Sequence, residues 1–416
     1  MIDGLDGWAE ADTAAGAAVL GLGGCLDYEI SWDASVLEEC AREHHITADD
    51  VTHGTVIGSE RELVASVLAF FRDGAGGERP VASGAIIETF SARFPRRITL
   101  GGTSVRAAIA MSRIGVASSL HLVSIDEHVR RLLPPDVPWI CSGAEDSLNP
   151  HLIVQFPRGA TVNVAGTVIE SRHANRLIYV CDPPNREMHI APELGPMLAN
   201  AKVFLISGFN AMTDRDALEN RLNSLRDAMS SLPKGALVVF EDGGYHVPEL
   251  SDVVVNRLVD RLDIYGMNED ELQSLIGRTV DLLDPADVAA AVSDASRRIP
   301  VPTLIIHTSQ WAAAYGTHAR RWADALDGGI ALAGARYLTG DALDATAFER
   351  AKRLPRQRAG ERFAATLEGL LGADVCARAA YALATETPTT VGLGDTFVGG
   401  VIAVLARRSS GGRDLA

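Results

Sequence analysis

The chain has 416 residues, 47% hydrophobic and 22% charged, enough apolar mass for one large core or a core plus a satellite domain, and an ordinary charge content that argues against wholesale disorder. Its formal net charge of −16 at pH 7 argues against nucleic acid or anionic membrane as partners, because basic patches supply most of that affinity. Small anions remain compatible, since a few arginines and backbone amides hold a phosphate.

The opening "MIDGLDGWAEADTAAGAAVL" is acidic without a basic leader, which predicts no signal peptide. No uncharged apolar run approaches the ~18 residues of a membrane span. Cys25, Cys40, Cys141, Cys181 and Cys376 are odd in number and without CxxC spacing, so a reducing cytoplasm is the expected home. The lysines are Lys202, Lys234 and Lys352, none within a GxxxxGK[ST] loop. Phosphate chemistry here must therefore use glycine amides and arginine.

"AAVLGLGG" (17–24) reads as a first strand entering a glycine turn, and "SERELVASVLAFFRDG" (59–74) as a helix stopped at Gly74. "ASGAIIETFSARFPRRITL" (82–100) is rich in β-formers and reads as hairpin strands. "GGTSVRAAIAMSRIG" opens a helix after Gly101-Gly102 and closes it at Gly115, and "SSLHLVSI" follows as a buried strand. "PHLIVQFPRGATVNVAGTVIESRHANRLIYV" (150–180) again reads as hairpins. "AKVFLISG", "GALVVFED", "DIYGMNEDE" and "PTLIIHT" are strands each followed by a helix, while the polar stretch 336–362 reads as surface helix or loop.

This alternation predicts an α/β fold with a doubly wound, mainly parallel sheet and helices on both faces. The expected large domain comprises 1–27, 36–84, 101–147 and 191–416. A small discontinuous β-rich domain would comprise 28–35, 85–100 and 148–190.

Five polar positions fall after predicted strands or at helix starts, where ligands bind in open α/β sheets. Asp27 follows the first glycine turn, where a carboxylate suits paired sugar hydroxyls. Gly101-Gly102-Thr103 allow close backbone approach and free helix-start N–H groups; a plain N-cap is the simpler account. Asn268 and Glu271 match a capping box, yet at this spacing they also suit Mg²⁺ held through waters, with Glu241 joining from a neighbouring strand end. His307-Thr308 close "PTLIIHT", and the turn Gly392-Leu393-Gly394-Asp395 opens an apolar helix.

"VGLGDTF" resembles the GxGD anion-hole motif of the ribokinase-like superfamily, and "PTTVGLGDT" resembles the ADP-dependent sugar kinases, the glucokinase and phosphofructokinase group. "NEDE" matches that superfamily's NxxE magnesium motif, and "GGTSVRAA" its substrate-side helix. "PHLIVQFPRG" and "HANRLIYVCDPPN" are similar to the family's lid strands, and "IIHTSQWAAAYG" to a strand of its nucleotide domain. The resemblance implies a ribokinase-like kinase of sugars or sugar phosphates in carbohydrate metabolism. It implies Asp395 as base, the amides of Gly392, Leu393 and Gly394 as anion hole, and Arg176 reaching over the phosphates from the lid. Asp27, Glu88, Gly101, Gly102 and Thr103 would hold the acceptor. Asn268, His307, Thr308, Tyr315 and Val391 would hold the nucleotide, and Glu241 and Glu271 the Mg²⁺ or a similar cation.

Three positions depart from the family pattern. Its HxE metal motif reads Val239-Phe240-Glu241, a lid position usually acidic in glucose-using members is Gln155, and Thr103 stands for the usual Gln. Arg158 lies where phosphofructokinases carry a basic residue for the sugar's own phosphate. The expected donor is ADP, with an ATP-using sugar or nucleoside kinase, or a catalytically silent sugar-binding protein, as alternatives. A monomer or small homo-oligomer is expected.

Overall fold

The computed structural model describes residues 17–385 and 389–407. Residues 1–16, 386–388 and 408–416, assigned above to the large domain, lie outside the described residues.

Short β-branched runs build a nine-stranded sheet. Its parallel part runs in spatial order Thr303–His307, Ile264–Asn268, Leu237–Glu241, Val203–Ile206, Ala18–Gly21, Ser119–Leu122, Trp139–Cys141. Trp311–Gly316 and Val375–Ala379 extend one edge as antiparallel strands. Alternate residues feed two cores: Val203 and Leu205 enter one, Phe204 and Ile206 the other. Period-2 side chains buried on both faces are the signature of a sheet covered on both sides. The doubly wound expectation is thus met.

A second, five-stranded mixed sheet gathers Gly77–Pro80, Asn175–Val180, Pro150–Phe156, Cys25–Ile30 and Arg96–Gly101 from distant parts of the chain. Thr161–Val164 and Thr167–Glu170 form a separate hairpin. Two sequence expectations change here. The segment 85–100 is not a hairpin: Gly84–Ser91 is a helix, started by Ser83 accepting from Ala85 N–H. Ile87 and Phe90 bury its inner face, a helical spacing concealed among β-formers. The stretch 36–84 packs with the small sheet rather than the large one. The Ala34–Glu43 helix lies on Thr161–Val164, and the Glu60–Asp73 helix on Asn175–Val180.

Among the described residues no helix is long and apolar enough to cross a membrane.

Three helices on one face of the large sheet are held unusually close by glycine. In Leu393–Arg407, a Cβ on Gly400 would run into the Gly328 carbonyl and lie 2.7 Å from Gly329 Cα of the Ala323–Thr339 helix. One on Gly399 would lie 3.0 Å from Ala107 Cα of the Thr103–Arg113 helix. Since interiors are close-packed, these backbones cannot part without opening voids. The start of the Leu393–Arg407 helix is located by this contact.

Gly400→Ala should therefore destabilise by roughly 1–2 kcal/mol, the overpacking penalty outweighing the gain in helix propensity. Gly369→Ala, in an exposed helix position with nothing near its would-be Cβ, should instead stabilise by up to about 1 kcal/mol. Denaturant midpoints of the two variants check the contrast; loss of stability in neither would remove the packing argument.

Candidate active site

The cleft lies between the small sheet and the C-terminal rim of the large one. Gly392 takes φ +73°, and a side chain there would collide with the Arg106 guanidinium. Its carbonyl accepts from Thr396 N–H at 3.0 Å and Thr396 Oγ1 at 2.7 Å, closing the first turn of the Leu393–Arg407 helix. Arg336 Nε donates to the Val391 carbonyl at 3.2 Å, securing the approach to that turn. The amides of a helix start favour negative charge.

Asp395, in this first turn, has Thr103 Oγ1 donating to its Oδ1 at 2.9 Å. Arg106, one turn beyond Thr103, places Nε 3.7 Å from Asp395 Oδ2 and Nη2 2.7 Å from Asp27 Oδ2. Burial opposes the charge on Arg106, but Asp27 and Asp395 outweigh it and raise the guanidinium above its ordinary value. Gly101 leaves space for this arrangement, since a Cβ there would sit 2.5 Å from Cys25 Sγ and 2.6 Å from Asp27 Oδ2. Gly102, at φ +88°, passes Gly24 closely enough to exclude a side chain.

Asp27 is buried and continues into a polar chain. His151 Nδ1 stands 3.9 Å from Asp27 Oδ1, and His151 Nε2 bonds Asp182 Oδ2 at 2.9 Å. Burial works against protonated His151, yet the Cys25 and Asp182 contacts outweigh it and lift its pKa well above the usual value. Asn185 Nδ2 ties Asp182 Oδ2 at 2.6 Å and the Gly24 carbonyl at 2.8 Å. These groups border a cavity of about 770 Å³ that also reaches Thr103, Asn210 and Asp242.

On the rim, Asn268 Oδ1 accepts from Asp270 and Glu271 N–H, and Glu271 Oε2 accepts from Asn268 N–H at 2.8 Å. The capping box is therefore real. Glu271 nevertheless has its pKa pushed to about 8, by burial first and then by the charge of Glu241. His307 meets Glu241 Oε1 at 2.7 Å; burial opposes its charge, Glu241 outweighs it, and its pKa rises. A buried and a half-buried carboxylate that repel each other, each with a second oxygen to offer, fit a hard divalent cation. The His307 ring stacks on Phe397 at 4.7 Å, joining this rim to the helix that carries Asp395. Thr308 Oγ1 is engaged in the tight turn to Trp311, accepting from Gln310 and Trp311 N–H.

Arg176 and Gln155 are register partners on the small sheet and border a cavity shared with Thr390, just before the glycine turn. Three expected residues are not brought to the site. Glu88 accepts from Tyr28 Oη at 2.8 Å. Tyr28 and Asp27 are consecutive in one strand and point to opposite faces, so Glu88 lies behind the small sheet. Tyr315 pairs with Leu304, three residues from His307 along an antiparallel strand, which is about 10 Å below the rim. Arg158 is exposed in the turn after Pro150–Phe156.

Sequence reasoning missed Arg106, His151 and Asp182. The i,i+3 spacing of Thr103 and Arg106 was the one available signal for the first.

The family model for the ADP-specific phosphofructokinase/glucokinase conserved region matches residues 17–402. No curated protein matches the chain. Among solved structures, it is similar to a phosphofructokinase from Pyrococcus horikoshii OT3 with AMP, at TM-score 0.79 and 15% identity, covering 94% of this chain and 97% of that one. It is also similar to the last common ancestor of ADP-dependent phosphofructokinases from Methanosarcinales (TM-score 0.77, 15% identity, 95% of each chain). An ADP-dependent kinase complexed with fructose-6-phosphate and ADPβS gives TM-score 0.70 at 14% identity, covering 95% of this chain and 96% of that one.

Removing Arg106 would strand the buried Asp27 carboxylate. Arg106→Leu is expected to cost about 3 kcal/mol in unfolding free energy, the scale for breaking a buried ion pair. Adding Asp27→Asn should recover part of that loss, because no lone charge is then buried. A double-mutant cycle reads the coupling; additive losses would mean the two side chains act independently.

Proposed function

Because the chain belongs to the ADP-specific phosphofructokinase/glucokinase family, a family of sugar phosphotransferases, we propose that it moves a phosphoryl group from ADP to a hydroxyl of a sugar or sugar phosphate. The observation that carries this reading is Asp395. Its carboxylate stands in the first helical turn beyond the Gly392–Gly394 amides, oriented by Thr103.

In this reading Asp395 takes the proton of the attacking hydroxyl. The amides of Gly392, Leu393 and Gly394 meet charge developing on the transferred group, which is where electrostatic catalysis acts. Asp27 and the backbone at Gly101, Gly102 and Thr103 hold acceptor hydroxyls, while Arg176 faces the phosphates from the small sheet. Val391, Asn268, His307 and Thr308 line the nucleotide side. Glu241 and Glu271 would hold Mg²⁺ through water, supplying countercharge for the phosphates. Phosphoryl transfer is mostly positioning plus electrostatics, so these groups form a sufficient set.

The test is an initial-rate comparison of ADP and ATP, each with Mg²⁺, against a panel of sugars and sugar phosphates. Asp395→Asn should lower turnover by roughly 10²–10⁴, as for loss of a general base, with ADP affinity little changed. Retention of more than about a tenth of wild-type turnover would take the base role from Asp395.

Glu271→Gln separates the cap from the cation site. The amide oxygen can still accept from Asn268 N–H, so stability should stay within about 0.5 kcal/mol of wild type. The Mg²⁺ activation curve should move to higher concentration. An unmoved curve would leave Glu271 as a capping residue alone.

A further inference from the structure

The strand register of the small sheet sets three side chains of metal-ligand type next to one another. Cys25 and Asp27 are two residues apart in Cys25–Ile30 and so share a face. His151, in Pro150–Phe156, is the parallel register partner of Asp27. A thiol sulfur, a carboxylate oxygen and an imidazole nitrogen thereby come within 4.8 Å of one another. Cys25 Sγ stands 3.4 Å from Asp27 Oδ1, and His151 Nδ1 stands 3.9 Å from the same oxygen. With bonds of about 2.0–2.3 Å, neighbouring ligands on a tetrahedral zinc lie roughly 3.3–3.6 Å apart. Both separations are close to that spacing.

The other polar atoms of these side chains are already engaged. Asp27 Oδ2 is taken by Arg106 Nη2 at 2.7 Å, which leaves Oδ1 facing the thiol. His151 Nε2 lies 2.9 Å from Asp182 Oδ2. A carboxylate can only accept there, so Nε2 carries hydrogen and Nδ1 is the nitrogen beside Asp27. Asp182 is fixed in turn, accepting from Asn185 N–H at 3.1 Å and Asn185 Nδ2 at 2.6 Å. Zinc-bound imidazoles are held in this way, the far nitrogen donating to a carboxylate that is itself hydrogen-bonded. Cys25 and His151 also border the cavity of about 770 Å³, so a fourth coordination position opens toward water.

We propose that Cys25, Asp27 and His151 bind a thiophilic divalent cation of the zinc class, with Asp182 as the positioning residue for His151. The donor set selects the metal. Thiolate and imidazole suit zinc, whereas Mg²⁺ keeps to oxygen ligands, so this cluster differs in kind from the Glu241–Glu271 rim. Burial, then the charge of Asp27, pushes the Cys25 thiol up to about 11. Binding therefore exchanges the thiol proton, released to solvent, for the sulfur–metal bond. The site goes beyond the kinase reading and does not depend on it. When occupied, it takes the Asp27 oxygen that an acceptor hydroxyl would otherwise use.

Cobalt titration of the reduced, nucleotide-free full chain tests the assignment, since thiolate-bound Co²⁺ absorbs by sulfur-to-metal charge transfer. Stoichiometric Co²⁺ should give that band, and Zn²⁺ should displace it while a large excess of Mg²⁺ does not. Cys25→Ser should abolish the band, and Cys141→Ser should retain it. Asp182→Asn should keep the band but weaken Zn²⁺ binding by roughly 10- to 100-fold, the loss expected of an outer-shell partner. In the unaltered chain, Zn²⁺ should slow alkylation of Cys25 and leave Cys141 and Cys181 unaffected, as read by peptide mapping. That measurement requires no variant to fold. A Co²⁺ complex without the band, or a band that survives Cys25→Ser, overturns the proposal. So does displacement by Mg²⁺, or alkylation of Cys25 at the same rate with and without Zn²⁺.

Discussion

The arrangement depends on one side chain that belongs to neither half of the cleft alone. Arg106 rises from a helix packed on the large sheet, bonds Asp27 in the small sheet and lies beside Asp395 at the start of the Leu393–Arg407 helix. A guanidinium set between two carboxylates fixes their separation. That geometry explains the local glycines. Gly101 and Gly392 each stand where a Cβ would meet a member of this triad, so both are needed for contact, and Gly392, at φ +73°, for conformation as well.

The position of Asp395 is settled further away, by helix packing. Gly328, Gly329, Gly399 and Gly400 bring three helices to backbone contact, and a helix located along its length has its first turn located too. In the proposed reaction, amides fixed in this way would need no reorientation to meet developing charge. The cleft is also bridged on two sides, by Glu78 with His246 at 2.8 Å and by Arg97 with Asp341 at 2.7 Å. Both pairs join the small sheet to the body. Because they are partly exposed, each adds little to stability.

Much of this was legible in the sequence because strand ends and helix starts announce themselves. Asn268, Glu241, His307 and the Gly392–Asp395 turn were located by apolar runs stopping at polar or glycine residues, and the parallel topology gathers such ends on one rim. Parity and reversal were not legible. Glu88 was lost because nothing local says which face of the small sheet its helix covers. Tyr315 was lost because its strand runs antiparallel and carries it away from the rim that His307 occupies. The 84–91 helix was hidden because a two-turn apolar face resembles a strand when β-formers flank it. Arg106 was overlooked because an arginine in a helix is usually solvated, and only the fold reveals its two acidic partners.

The departure at Val239 can now be given a physical meaning. Val239 shares strand parity with Glu241 but lies two residues deeper, buried in the core, where a histidine would need a partner. The imidazole that Glu241 meets comes instead from His307, on the strand beyond Ile264–Asn268. His307 is thereby committed to the carboxylate through Nε2 and to the Phe397 ring through its face. A histidine so placed orients Glu241 and tempers the repulsion between Glu241 and Glu271. The same ring, resting on the helix that carries Asp395, makes the carboxylate rim and the glycine turn a single packed unit.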